Sequence, residues 1–215
     1  MTKQERATRT RQALIRSAAE AFEQHGYAQA GLTLISSGAG VSTGALHFHF
    51  ENKAAVAAAV VAEASRGLSD AHDAVRRGTD TALQALVDIS HALSALLRRD
   101  TVVRAGFRLS CDEECAEPAL RAQWRCCVRD LLDEAAVAGA LADGVSRADV
   151  TAATVAVTTG FEVLGRHDPQ WLAAERLTGY WRLLLPGLAV AEVRARLNPA
   201  GTAPSYAPEA VGGGS

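Results

Sequence analysis

The stretch LTLISSGAGVSTGALHFHFENK, Leu32 to Lys53, decides the fold. Leu34 and Ile35 belong to a short helix that ends near Gly40, and a turn follows. Ser42 then stands where an N-cap hydroxyl belongs, before a second short helix that runs into Phe48 and Phe50. Helices of about two turns are not stable alone in water, so both must pack on a longer neighbour through Ile35, Val41, Leu46 and Phe50. That neighbour lies just upstream, where Leu14, Ile15, Ala18, Ala19 and Phe22 repeat at three and four and predict an amphipathic helix over Glu5 to Gln24, with Gly26 placed to end it. The expected product is a three-helix bundle with a tight turn, the helix-turn-helix arrangement.

The exposed face of the second short helix offers Thr43, Gly44, Ala45 and His47, with Ser42 at its cap and His49 in its last turn as further DNA-binding candidates. Small and hydroxyl groups at a helix N-terminus let backbone and side chains approach base edges and phosphates in a major groove. Lys53 begins the next helix, where an ammonium and a helix N-terminus can share one phosphate. Each residue also has a plainer reading: Ser42 as a cap, Gly44 as a turn residue, His49 as packing, Lys53 as a solvated charge.

Charge distribution points the same way. The chain of 215 residues has formal charge -2 and pI near 6.3, which excludes a nucleic-acid coat or a polybasic membrane binder. Met1 to Arg16, however, holds Lys3, Arg6, Arg9, Arg11 and Arg16 against Glu5 alone, net +4, while the remainder carries 17 basic and 23 acidic residues, net -6. A basic end on an acidic body suits phosphate contact at one place, with Arg9 and Arg11 as candidates. No apolar run is long enough to span a membrane and the charged N-terminus lacks a signal-peptide core, so a cytoplasmic protein is expected.

The rest reads as helix, giving an all-α fold class: an N-terminal helix-turn-helix domain over residues 1–53, a larger helical ligand-binding and dimerisation domain over 54–198, and a flexible tail over 199–215 that is rich in Gly, Ala and Pro. An Ala-rich helix from Asn52 to Arg76 connects the two domains. Ser146 with Asp149 predicts a capping box before Val150 to Leu164, and Asp168-Pro169 predicts the start of a helix through Trp171 and Leu184 that ends at Pro186. These last two helices are apolar on more than one face, so they are the expected homodimer contact, and a two-fold dimer is what reading paired half-sites requires.

Gly40 to Lys53, G-V-S-T-G-A-L-H-F-H-F-E-N-K, closely resembles the signature of TetR-type repressors, and Arg9 to Tyr27 resembles that family's first helix. His47 replaces the family's usual Tyr and would contact phosphate in a proton-dependent way. Gly31 occupies the usual capping Thr, leaving Thr33 as the nearest hydroxyl for phosphate, and Gly38 inside the second helix should cost about 1 kcal/mol. Thr101 to Ser110, Trp124 and Gly160 to Arg166 are similar to segments of the butyrolactone autoregulator receptors of actinomycetes. The resemblance implies a homodimeric repressor that binds double-stranded operator DNA and is released by a small-molecule effector, a butyrolactone-type autoregulator or an antibiotic or intermediate, in control of secondary-metabolite genes. It implies a pocket among Phe107, Leu109, Trp124, Val128, Leu131, Val155, Thr158, Phe161 and Glu162, with Glu162 departing from the neutral or basic residue expected there.

Two other readings remain open. Cys111 and Cys115 would be one helical turn apart if that stretch were helical and could form a redox switch, although Glu113 and Glu114 between them disfavour a reactive thiolate, and Cys126 and Cys127 lack metal-ligand spacing. His72, Asp88, His91, Asp112, Glu113, Glu114 and His167 supply titratable groups without a recognised nucleophile, metal or phosphate-cradling motif, so neither catalysis, a cofactor nor a metal is expected.

Overall fold

The computed structural model describes residues 2–110 and 119–202, and the chain there is helical. In order come α1 (Lys3–Gln29), α2 (Leu32–Gly38), α3 (Thr43–His49), α4 (Lys53–Gly78), α5 (Ala82–Arg99), α6 (Thr101–Leu109), α7 (Ala119–Val137), α8 (Arg147–Gly165), a 3-10 turn at Pro169–Leu172, α9 (Ala174–Leu188) and α10 (Ala191–Arg194). The one β pairing among the described residues is an isolated bridge between Leu141 and Ala189. Two compact units divide the chain, residues 1–70 with 97–127 and residues 71–96 with 128–215, so the boundary falls inside α4, near the end of α5 and inside α7.

In the first unit, a reciprocal Thr2–Glu5 capping box starts α1, and Gly26 breaks it at φ +76° as its sequence predicts. One further turn follows before Ala30 donates back to the Gly26 carbonyl at 3.2 Å. Leu14, Ile15, Ala18 and Phe22 are fully buried and form one core with Ile35 of α2, Leu46 of α3, Phe50, Val56 and Val60 of α4, and Ala105 and Leu109 of α6. The three-helix bundle is therefore closed by α4 and α6 rather than by its own residues alone. Asp100 caps α6 with hydrogen bonds from the Val102 and Val103 amides, and the Arg104 guanidinium grips both carboxylate oxygens of Glu23 on α1.

In the second unit two expectations fail. Asp168-Pro169 opens only the 3-10 turn, because Leu172 is buried and its carbonyl accepts from Ser94 Oγ at 2.9 Å, after which Ala173 leaves helical conformation and α9 starts afresh. Pro186 lies inside α9 rather than ending it. The amide it lacks falls in an exposed last turn, and burial of Leu185 and Leu188 on either side holds that turn helical. Ser146 caps α8 as expected, accepting from the Asp149 amide at 3.3 Å. The first residues of the expected tail are bonded in place: the buried carboxylate of Asp88 accepts from Thr79, Gln84 and the Thr202 amide, and Pro199 and His91 are in contact at 3.0 Å.

Gly38 has a packing reason that helix propensity does not reveal. A Cβ there would come within 2.4 Å of Ser17 Oγ, which is itself held to the Ile35 carbonyl at 2.8 Å. Gly38→Ala should therefore lower the stability of the folded chain by about 1–3 kcal/mol in urea unfolding, although alanine is the better helix former, and Ser17→Ala in the same chain should recover part of the loss. A Gly38→Ala chain as stable as the parent would show that α2 does not sit this close to α1.

Candidate nucleic-acid interface

Seating of α2 and α3 begins with burial. Ile35 and Leu46 are fully buried and Phe50 nearly so, each contributing roughly 1.5–3 kcal/mol of apolar transfer to helices of only seven residues. Ser17 on α1 ties α2 through the Ile35 carbonyl, and Ser36 Oγ lies 3.2 Å from Thr43 Oγ1, linking α2 to α3. The turn between them needs a left-handed residue, supplied by Gly40 at φ +68°, and the Val41 amide then returns to the Ser36 carbonyl at 3.0 Å. Ser42 caps α3 by accepting from the Ala45 amide at 3.1 Å.

Once Leu46 is turned inward, helical geometry fixes what faces out. Gly44, His47 and Phe48 occupy the middle of the exposed arc, with Thr43 and Ala45 half-buried at its edges. Thr33 and Ser42 are exposed beside them. This is a rod with a small, polar N-terminal half and an aromatic C-terminal half, open to solvent and fixed at its back. Phe48 is 79% exposed and was not singled out by sequence reasoning, which took it only as the end of the helix. Its signal was available: if Leu46 and Phe50 face inward, Phe48 must face out. An exposed aromatic ring on such a face suits apolar contact with a thymine methyl group.

The remaining candidates are distributed differently from a simple row of cations. Arg9 is exposed on α1. Arg11 is half-buried with its guanidinium 5.2 Å from the Phe50 ring centroid, so it braces the end of α3. Lys53 Nζ donates to the Ala28 carbonyl at 2.9 Å and lies 4.6 Å from the Tyr27 ring centroid, which ties the start of α4 to the end of α1. His49 is half-buried between Phe48 and Phe50, at ring separations of 5.3 and 6.5 Å.

The candidate effector residues are distributed over both units. Phe107, Leu109 and Trp124 are buried in the first unit, and Leu109 belongs to the core that seats α1. Val128 and Leu131 are buried in the second unit, where Val155 and Phe161 are half-buried and Thr158 and Glu162 buried on α8. The buried stripe of α8 is polar, Thr154, Thr158 and Glu162 at successive turns, while its valines and alanines are half-buried or exposed. Thr154 Oγ1 lies 2.8 Å from the hydroxyl of Tyr180 on α9, whose phenol burial pushes up, against a smaller lowering by that bond. Glu162 accepts from Arg166 at 2.6 and 2.8 Å, so its charge is compensated one turn away.

Cys111, Cys115, Asp112, Glu113 and Glu114 lie outside the described residues, and Cys126 and Cys127 are half-buried. Among the described residues no cluster of three potential metal ligands occurs, and no helix is long and apolar enough to cross a membrane. Asp88 and His91 are engaged with the segment after α10.

A helix-turn-helix seated in an all-helical chain defines a regulator class, and residues 14–60 match the family described as bacterial regulatory proteins, tetR family. The chain is 30% identical over 207 residues to the A-factor receptor protein of Streptomyces griseus, spanning 94% of this chain and 71% of that protein. A crystal structure described as a gamma-butyrolactone receptor (ArpA like protein) superposes with TM-score 0.76 at 27% identity, covering 89% and 94% of the two chains. CprB of Streptomyces coelicolor, solved in complex with its biological operator sequence, gives TM-score 0.75 at 28% identity over 89% and 94%. The chain belongs to the TetR family. Within that family it is related to the butyrolactone receptors, which are regulatory proteins rather than enzymes.

Because Lys53 is tethered at both the ring and the carbonyl, Lys53→Met should cost about 1 kcal/mol of stability in the absence of DNA, read from the urea midpoint. An unchanged midpoint would mean that the ammonium is not held and is wholly free for other work.

Proposed function

We propose that this chain is a homodimeric transcriptional repressor that places α3 of each protomer in the major groove of an operator half-site and is released by a small-molecule effector. The observation that carries the reading is the seated, capped and solvent-facing α3, whose exposed arc has no structural task in the bundle. Thr43, Gly44, Ala45, His47 and Phe48 are the base-facing set, with Arg9, Thr33, Ser42 and His49 toward phosphates, and Arg11 and Lys53 bracing the helix while keeping donors to spare. The operator-bound CprB structure supports this assignment by likeness.

Two protomers are required because one short helix reads too few base pairs. The faces that suit such a pair are α8 and α9, where Val163 and Leu164 are more than two-fifths exposed and Leu183 is 85% exposed. A four-helix contact would cover them. Two-fold symmetry then sets the half-sites about 34 Å apart or a multiple of it.

The effector reading rests on the butyrolactone-receptor relatives and on the buried polar stripe of α8. Converging polar groups among apolar walls are what orient a small ligand. Pairing of Glu162 with Arg166 removes the objection that a bare carboxylate would raise to a neutral lactone, so a butyrolactone or an antibiotic-type ligand fits the same residues. Release requires only that the ligand favour a dimer with wrongly spaced α3 helices. A coupling of about 1–3 kcal/mol is ordinary for such linkage. By the same likeness the regulated genes are those of secondary metabolism.

The reading is tested with a duplex selected by the full chain from a random pool. Binding should weaken steeply with salt, the logarithm of affinity falling by about 0.9 per phosphate contact for each tenfold rise, and a slope near zero would contradict phosphate-driven binding. Leu183→Glu should shift sedimentation from dimer to monomer and abolish tight binding with it. Phe48→Ala should cost discrimination at one base pair of each half-site by about 1 kcal/mol while leaving non-specific affinity nearly unchanged. Release by one of a panel of synthetic butyrolactones and antibiotics tests the effector assignment separately.

A further inference from the structure

Buried hydroxyls of the second unit donate to nearby carbonyls: Ser90 Oγ to Leu86 at 2.6 Å, Thr158 Oγ1 to Thr154 at 2.8 Å and Thr178 Oγ1 to Ala174 at 2.9 Å. Trp181 on α9 breaks this pattern. Its side chain is fully buried, yet its Nε1–H meets no acceptor among the described residues. Buried indoles ordinarily find a partner, because an unmatched donor away from water costs folding free energy. A phenylalanine would fill much of the same space without that cost. Arg76 Nη1 is likewise unmatched, but it belongs to a guanidinium already paired with Glu134 at 3.0 Å. The indole has a single donor and no acceptor of its own.

The neighbouring residues decide which acceptor suits it. Along α9 the buried residues on either side of Trp181 are Leu177 and Leu185, and Thr178 has its hydroxyl turned back to its own helix. The Tyr180 ring lies 5.0 Å away between centroids and directs its hydroxyl to Thr154 Oγ1 on α8, the first member of the buried stripe Thr154, Thr158 and Glu162. An interior water is held by two or more polar groups, so one donor flanked by leucines suits it poorly. It suits a single oxygen on an otherwise apolar molecule. A buried anion is disfavoured there, since Arg166 is committed to Glu162, Arg176 lies over the Trp171 ring at 5.4 Å and Arg182 is exposed. The matching group is an uncharged carbonyl, as in a lactone, an ester or a ketone.

We propose that Trp181 is the specificity-determining donor of the effector site, its indole N–H taking the carbonyl oxygen of an uncharged, largely apolar molecule seated in the second unit against α8 and α9. The proposal rests on the effector reading above and adds to it the group that tells a carbonyl-bearing ligand from a hydrocarbon of the same shape. It also separates the tryptophans by task. Trp124 is buried in the first unit and Trp171 is half-buried against Phe161, at 6.2 Å between ring centroids, whereas the Trp181 donor is held in reserve inside the second unit. Binding then satisfies a donor that the free protein leaves unmatched, so the hydrogen bond adds to affinity without breaking another within the protein.

The test is nuclear magnetic resonance of the full chain with isotope-labelled tryptophan, in which the indole signals of Trp124, Trp171 and Trp181 are separate reporters and Trp181→Phe assigns the last. The probe is a hexanoyl-substituted gamma-butyrolactone, compared with its counterpart in which both carbonyls are replaced by methylenes. The Trp181 indole proton should move downfield saturably with the lactone and much less with the counterpart. Trp181→Phe, checked for folding by circular dichroism, should bind the lactone roughly tenfold more weakly, and the lactone's advantage over its counterpart should largely disappear. If an antibiotic of the panel binds in place of the lactone, the same two readouts apply to it. A ligand that binds while the Trp181 signal stays in place, or a Trp181→Phe chain with parental affinity, overturns the proposal. A parent chain that binds no member of the panel overturns the effector reading and the proposal with it, and binding by the parent tells the two failures apart.

Discussion

Everything in the helix-turn-helix depends on how two helices of seven residues are held still. Helices this short lose more conformational entropy than their own hydrogen bonds return, so position comes from burial of Ile35, Leu46 and Phe50 against α1. Hydrophobic burial has no direction, however. Direction is supplied by the Ser17 bond to the Ile35 carbonyl, which brings α2 so near α1 that only glycine fits at position 38, and by the Ser36–Thr43 contact across the turn. With the back of α3 fixed in this way, its front is exposed because no other face remains.

The same core carries α6 into the bundle. Ala105 and Leu109 pack with α1 and α4, and a Cβ added at position 106 would meet Ala64 of α4 at 2.6 Å and Leu120 of α7 at 3.0 Å. Glu23 is gripped by Arg104, and its backbone carbonyl accepts from Arg108, one turn before the break at Gly26. The half-exposed Glu23–Arg104 pair contributes little stability, but a forked guanidinium fixes geometry well. Any shift of α6 is therefore felt where α1 hands the chain to α2.

The helix-turn-helix was legible because its signals are local. Apolar spacing gave α1, glycines gave the breaks, and Ser42 gave the cap of α3; each is a property of a few neighbouring residues. What was missed depends on partners distant in sequence. Asp168-Pro169 has the local look of a helix start, yet Leu172 is called back by Ser94, 78 residues upstream, and the helix stops after one turn. Pro186 looks like a terminator until Leu185 and Leu188 are seen to be buried. Pro199 to Thr202 look like the start of a free tail because the partner of the Thr202 amide, Asp88, lies on α5. Gly38 reads as a defect until Ser17 is placed beside it. Sequence pattern does not separate candidate effector residues from core, since an apolar residue on a core helix has the same pattern whether it faces a ligand or another side chain. The polar stripe on α8 had a trace in the sequence, Thr154, Thr158 and Glu162 spaced by four, which the surrounding valines concealed.

The central claim is that α3 enters a duplex groove from each of two symmetric protomers. Hydroxyl-radical footprinting of the full chain on a duplex it has selected tests this most directly. The account predicts two symmetric protected patches on one side of the DNA, their centres a whole number of helical turns apart, about 34 Å or a multiple. A single patch, an asymmetric footprint, or an unprotected duplex would contradict it.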